Sequence, residues 1–175
     1  MTLLSLSRLS PVASLAALLL VAGCVTGCSQ HPAPSETDLF NQQAALPTSL
    51  PVPVLENRVI TSSIDRQQHT MSTLTGNDIA VTSARAGTPS AYPEGAVLTL
   101  ATWNQRDDPH WFGARIPATP RTVETVTITR GANGQLLPTY HLFAGNPLQL
   151  VAAPDPAQAA TRQADILAER ASVMP

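Results

Sequence analysis

The chain contains no lysine: all ten of its cationic residues are arginine, set against twelve acids in 175 residues, for a formal charge of −2. A nucleic-acid binder needs a clustered basic patch, and none is visible in this pattern. Aromatic residues are scarce at 4%, with two tryptophans, two tyrosines and three phenylalanines. Cysteine is scarcer still, Cys24 and Cys28 being the only two. The sequence also lacks HExxH, paired CxxC, GxSxG and phosphate-cradling glycine loops, so no recognised metal, nucleophile or nucleotide motif points to an enzyme. Arginine without lysine, with abundant alanine and proline, reads as a GC-rich genome rather than as a mechanism.

No apolar run reaches membrane-spanning length. The longest, Leu15–Ala22 behind the single charge of Arg8, has the layout of an export signal. It ends in Val21-Ala22-Gly23-Cys24, which resembles a bacterial lipobox, and Val25-Thr26-Gly27-Cys28 repeats the pattern at once. Cys24 is the preferred lipid attachment site, because the apolar run stops directly before it; Cys28 is the second choice. Diacylglycerol on the thiol plus an acyl chain on the new N-terminus gives three buried chains, more than the two signals that stable anchoring needs. Either choice leaves no pair of cysteines for an internal disulfide. Val25 is not the aspartate associated with inner-membrane retention, so the expected location is the cell envelope, at the outer membrane and facing the periplasm.

Removing residues 1–23 from 175 leaves 152, enough for one ordinary domain. Residues 24–56 read as a lipidated tether, since Pro32, Pro34, Pro47, Pro51 and Pro53 favour extended chain, with a short helix over 36–45 capped by Ser35. Residues 57–175 read as the domain. Two strands are expected over 57–64 and 69–75, then a helix over 78–86 with Asn77 as N-cap, Gly87 behind it, and Ile79, Ala80 and Ala84 as its apolar stripe. The segment Tyr92–Ile116 reads as a hairpin in which Trp103 and Trp111 close the loop as a pair. That register sets Ala101 against Gly113 and Thr99 against Arg115. Pro117 and Pro120 suggest a turn, followed by a strand over 121–130. Asn133-Gly134 predicts a type I′ turn, and the return strand 135–143 carries Pro138, which suits an edge. A last helix over 156–172 is capped by Asp155, with Ala160, Ala164, Leu167, Ala168 and Ala171 as its inward stripe. The fold class is α+β: an antiparallel sheet of about five or six strands with two or three packed helices.

Gly76-Asn77-Asp78-Ile79-Ala80-Val81 with Ala84-Arg85, followed by Tyr92-Pro93-Glu94-Gly95-Ala96-Val97 and Trp103, resembles the cytochrome P-460 family. The likeness covers roughly Val59 to Phe143, and Trp111-Phe112-Gly113 fits a subgroup of it. It implies a mostly antiparallel domain, often a homodimer, with a haem pocket against the sheet. Family members include hydroxylamine-oxidising enzymes and cytochromes that bind small diatomic gases. Those proteins hold haem through Cys-x-x-Cys-His near the C-terminal end, and the enzymes cross-link a lysine to the porphyrin. Here no cysteine follows Cys28 and no lysine exists, so both attachments are chemically excluded and no catalytic residue carries over.

Non-covalent haem would need an axial ligand. His31 lies in the tether, His69 opens a strand beside a polar turn, and His110 sits in the hairpin loop. His141, mid-strand, is the candidate to point into a pocket, ahead of Met71. Asp107-Asp108-Pro109-His110 reads as a solvated loop rather than a metal site. The expected ligand pocket is therefore Trp103, Trp111 and Arg115 on the odd face of the hairpin, with His141. Two functions follow from these residues: a membrane-anchored, non-catalytic binding module for a small ligand, non-covalent haem included, or a haem-free structural or interaction protein of the envelope. A haem oxidoreductase acting on small nitrogen compounds stands behind both. The lipid site has a direct chemical check. A thiol count on the delipidated mature protein gives one free thiol if Cys24 carries the lipid, and none if Cys28 does.

Overall fold

A computed structural model describes residues 39–51, 54, 56–87 and 92–172; Cys24, Cys28 and His31 lie outside them. The described chain is built on one six-stranded antiparallel sheet whose strands neighbour each other in sequence order. The strands are β1 (Arg58–Asp65), β2 (Thr70–Gly76), β3 (Val97–Asp107), β4 (Arg115–Arg130), β5 (Leu136–Ala144) and β6 (Gln149–Leu150). Two α-helices accompany them, α1 (Asp78–Arg85) and α2 (Pro156–Ala168), with a 3-10 turn at Gln42–Ala44. The α+β expectation of an antiparallel sheet with packed helices is met.

Each face of the sheet has its own core, because side chains alternate along a strand. One core joins Ile60, Leu74, Leu98, Val126 and Ile128 of the strands to Ala80 and Val81 of α1 and Ile166 of α2. The other joins Ala101, Val123 and Phe143 to Val54 and Leu148, with Leu46, Leu50 and Trp103 packed against them. The second half of the expected tether thus covers a sheet face, and the compact unit starts at Phe40 rather than Asn57.

The central hairpin differs in register from the sequence expectation. Asp107 pairs with Arg115, Ala101 with Val123 and Thr99 with Thr125, while Trp103 faces Pro120 and Trp111 lies in the loop. The expected turn at Pro117 and Pro120 and the strand after it are one continuous β4. Both prolines sit where the β3–β4 register slips, and β4 has no β5 partner before Thr122, so the missing N–H groups leave no ladder position empty on that side. Pro138 of β5 likewise lies where β6 does not reach.

The 131–135 turn also departs from the type I′ expectation. Gly134 has φ +80° and donates its N–H to the Gly131 carbonyl at 2.9 Å, while Asn133 keeps an ordinary negative φ. Five residues separate paired Arg130 and Leu136, the geometry of a type I turn completed by a left-handed glycine. Both helix stripes are met in part. α1 buries Ala80 and packs Ala84 inward as expected, with Val81 in place of the exposed Ile79; in α2, Leu167, and Ala171 beyond the helix, pack against the core as expected, while Ala159, Arg162, Gln163 and Ile166 also turn inward and Ala160, Ala164 and Ala168 face solvent. In α2 the alanines do not decide orientation, because a methyl group gains little from burial and the larger Ile166 gains more.

The expected caps form. Asp155 accepts from the Gln158 N–H at 2.8 Å, with Pro156 in the first turn. Asn77 does more: its Oδ1 accepts from Ala80 N at 3.0 Å and Val97 N at 3.2 Å, and its Nδ2 donates to Gly95 O at 2.8 Å. One side chain thus caps α1 and ties it to the start of β3. Replacing Asn77 by Ala removes all three contacts, and urea unfolding should show a loss near the upper end of the cap range, about 2 kcal/mol.

Candidate functional site

The face of the sheet that carries the helices is not fully covered. Beside α2 an open cleft of about 700 Å³ is floored by Ser72, Leu100, Thr102, Thr122 and Leu142 and walled by Gln158 and Arg162. Glu124 lies on its floor, between Leu100 of β3 and Leu142 of β5 in register. Its side chain is only 5% exposed. A carboxylate so placed needs several donors to offset its lost hydration.

Three donor contacts are present. Arg162 approaches as a fork, with Nε at 3.0 Å from Oε1 and Nη2 at 2.7 Å from Oε2. The Tyr140 hydroxyl donates to Oε1 at 2.6 Å. Tyr140 sits two residues before Leu142 on β5, the diagonal neighbour of Glu124 across the strand pair. Asp165, one turn on along α2, lies 3.6 Å from Arg162 Nη1 and adds a weak outer contact. Burial, and then the bond to the Glu124 carboxylate, push the Tyr140 phenol well above its ordinary range, against a smaller opposing effect of Arg162. The Arg162 guanidinium is likewise raised, first by its hydrogen bond to Glu124 and against the effect of burial.

The Glu124 carboxylate is already occupied by a bidentate arginine and a phenol. Around it the lining offers hydroxyls from Ser63, Thr70 and Ser72 and amides from Gln68 and Gln158. Asp65, Arg121 and Glu169 add two further negative charges and one positive. Among the described residues no group of three or more His, Cys, Asp or Glu side chains could hold a metal ion.

The four residues expected to form a pocket do not converge. Trp103 is half-buried on the opposite face of the sheet from the cleft, with its indole N–H donating to the Ala44 carbonyl at 2.8 Å. Trp111 is exposed in the β3–β4 loop, and Arg115 pairs with Asp107 at 2.9 Å at the hairpin end. His141 is exposed on β5 opposite Thr125, in the same strand phase as Phe143 and away from the cleft. Of the other candidates, His69 and His110 are exposed and Met71 is half-buried. The residues that do converge, Glu124, Tyr140 and Arg162, carried one usable signal. In the strand 121–130 Glu124 shares its phase with Val126 and Ile128, and an acid on an inward phase calls for a cation.

Comparison with known proteins adds no family. Neither the scan against protein-family models nor the search of curated proteins finds a match to this chain.

The tyrosines report on this site in a chain free of lysine, because they are the side chains that titrate near pH 10 without that background. Tyr92 is also raised, by burial and then by Glu169. A phenol that holds its proton more tightly when folded contributes stability that is complete below the unfolded value of 10.0 and is lost as pH rises above it. Stability should therefore fall from about pH 10 upward, and phenolate absorbance should rise together with unfolding rather than before it. Tyr140→Phe should reduce the slope of that alkaline limb and leave the contribution of Tyr92; an unchanged slope would rule out the phenol–carboxylate bond as its source.

Proposed function

We propose that the protein is a lipid-anchored protein of the cell envelope whose domain binds a small, polar ligand in the cleft over the sheet. The observation that carries this reading is the cleft itself: a space of about 700 Å³ on the helix-bearing face, walled by hydroxyls and amides and set over a buried carboxylate already held by its partners. Preorganised polar groups of this kind recognise hydroxyl- or amide-bearing ligands with little rearrangement on binding. Anchoring rests on the lipobox at Cys24, and a position facing the periplasm on the residue that follows it.

Kinship with the cytochrome P-460 family is part of the proposal at the level of the fold. Its support is the capped α1 start at Asn77-Asp78, the antiparallel sheet, and an open site against the helix-bearing face. Haem itself does not fit the cleft. No His, Cys or Met lines it, and the one phenol that does, Tyr140, is committed as a donor to Glu124. An axial position therefore has no candidate among the lining residues. A haem-free interaction protein remains the second reading, favoured by Trp111 and Phe112, which stand exposed on a loop with no packing partner in the core.

Two measurements test the proposal. Hemin added to the purified full-length protein should give no saturable change in the Soret band, and saturable binding would sink the haem-free cleft. Thermal unfolding should be screened against neutral oligosaccharides and short peptides. A ligand at a hundredfold excess over its Kd stabilises by about 2.7 kcal/mol, a rise of several degrees in Tm. Thr102→Trp, which fills the floor of the cleft, should abolish that rise. A ligand that stabilises both proteins equally binds elsewhere, and the cleft is then not the site.

A further inference from the structure

The β3–β4 loop, residues 108–114, presents two large apolar side chains to solvent. Trp111 is 72% exposed and Phe112 fully so, although each is large enough that core burial would stabilise the fold. The loop that presents them is internally braced. Ala114 N donates to Trp111 O and Asp108 N to Ala114 O, both at 3.0 Å, while His110 N donates to Asp108 Oδ1 at 2.8 Å. The two rings are therefore held outward on a structured tip.

At the base of this tip lies a second cleft of about 490 Å³, lined by Ile64, Arg66, His69, Gln105, Gly113 and Arg115. It brings two guanidinium groups and an exposed isoleucine beside the aromatic loop. The N-terminal side of the compact unit joins at the same end of the sheet. Asn41 Nδ2 donates to the Pro117 carbonyl at 2.6 Å, and Arg106 Nη2 donates to Asn41 Oδ1 at 3.3 Å. Pro117 is two residues from Arg115. A tether from Cys24 that arrives at Asn41 therefore reaches the domain at the root of the aromatic hairpin.

We propose that this end of the sheet is a membrane-contact site, in which Trp111 and Phe112 enter the interfacial region of a phospholipid bilayer while Arg66 and Arg115 meet lipid phosphates. The proposal rests on the lipid-anchored reading for its orientation, though the contact chemistry does not require it. Indole and phenyl rings favour the interface between headgroup and acyl chain. Basic side chains at their base add an attraction to lipid phosphates that salt screens. Asp65, Asp107 and Asp108 lie at the same end and Arg115 is paired with Asp107 at 2.9 Å, so this end carries no excess of positive charge; the rings carry most of the affinity and the guanidinium groups meet individual phosphates. Tethering makes a weak contact sufficient. Phe40 lies sixteen positions after Cys24, and since a chain spans at most about 3.6 Å per residue the domain stays within about 58 Å of its anchor.

The full-length protein, reconstituted into vesicles of phosphatidylcholine and phosphatidylglycerol with brominated acyl chains, tests this directly. The chain has two tryptophans, and Trp103 is packed against the tether-side core, so only Trp111 can meet the quencher. Wild-type emission should be quenched relative to unbrominated vesicles, and Trp111→Phe should lose that quenching. Unquenched wild type, or equal quenching in Trp111→Phe, overturns the contact. Each of Arg66→Ala and Arg115→Ala should weaken binding of an unlipidated Cys24→Ala/Cys28→Ala full chain to the same vesicles about fivefold. Binding unchanged in both variants removes the arginine–phosphate assignment. A mass measurement of the anchored protein separates the two readings. Lipid at Cys24 without quenching sinks the contact alone, whereas quenching of a chain without lipid sinks the anchor alone. If Trp111→Ala/Phe112→Ala dissociates a dimer in sedimentation, the loop is a protomer interface and the proposal fails.

Discussion

The Glu124 carboxylate constrains the described domain more than any other single group. It sits in the middle of β4, the longest strand, at a position where an apolar residue would complete the core. Leaving such a charge without partners would cost several kcal/mol. The cost is offset only if Arg162 of α2 and Tyr140 of β5 hold their places, so one buried charge specifies where the C-terminal helix lies on the sheet and how β5 is registered against β4. Ile166 supplies the apolar part of the same docking, one turn further along α2. Beyond it the chain stays on the sheet, with Ser172 N donating to Ile60 O at 2.9 Å and its hydroxyl 2.7 Å from that of Thr61.

This arrangement also makes the cleft. A helix held down by one polar clamp and by Ile166 and Leu167 covers only part of the sheet. The strip over Ser72, Thr102 and Thr122 stays open, and its hydroxyls remain hydrated at small cost. The opposite face is closed differently, by Leu46, Leu50 and Val54 from the N-terminal side and Leu148 from the C-terminal side. The two faces thus divide the work: one is sealed for stability, and the other keeps a polar recess over a clamped acid.

Several elements could be read from local sequence because local physics decides them. The α1 cap at Asn77, the α2 start at Asp155-Pro156 and the edge position of Pro138 depend on residues a few places apart, and all form as expected. The failures share a different cause. The hairpin register is decided by cross-strand partners beyond the loop, so pairing Trp103 with Trp111 by proximity closed the loop too early and broke β4 at two prolines that bulges accommodate. The expected α2 stripe leans on four alanines, whose burial carries little free energy, beside Leu167, which does pack inward; the face is set by Ile166 and Leu167 and by Arg162, a charged residue that periodicity counts as outward.

The candidate site shows the same division. The sequence by itself determined composition-level chemistry: without lysine and without cysteine after Cys28, the two covalent haem attachments of the P-460 family have no residues to form them in any fold. It determined the α+β class, because alternation, caps and turn residues act over short distances. Only the tertiary structure decided that His141 faces away from the cleft, that Trp103 belongs to a core, and that Trp111 and Phe112 stand in solvent at the hairpin tip. It alone joined Glu124 to Tyr140, 16 residues on, and to Arg162, 38 residues on. Such contacts depend on where whole elements pack, and the burial that makes them strong does not exist until the sheet and its helix have come together.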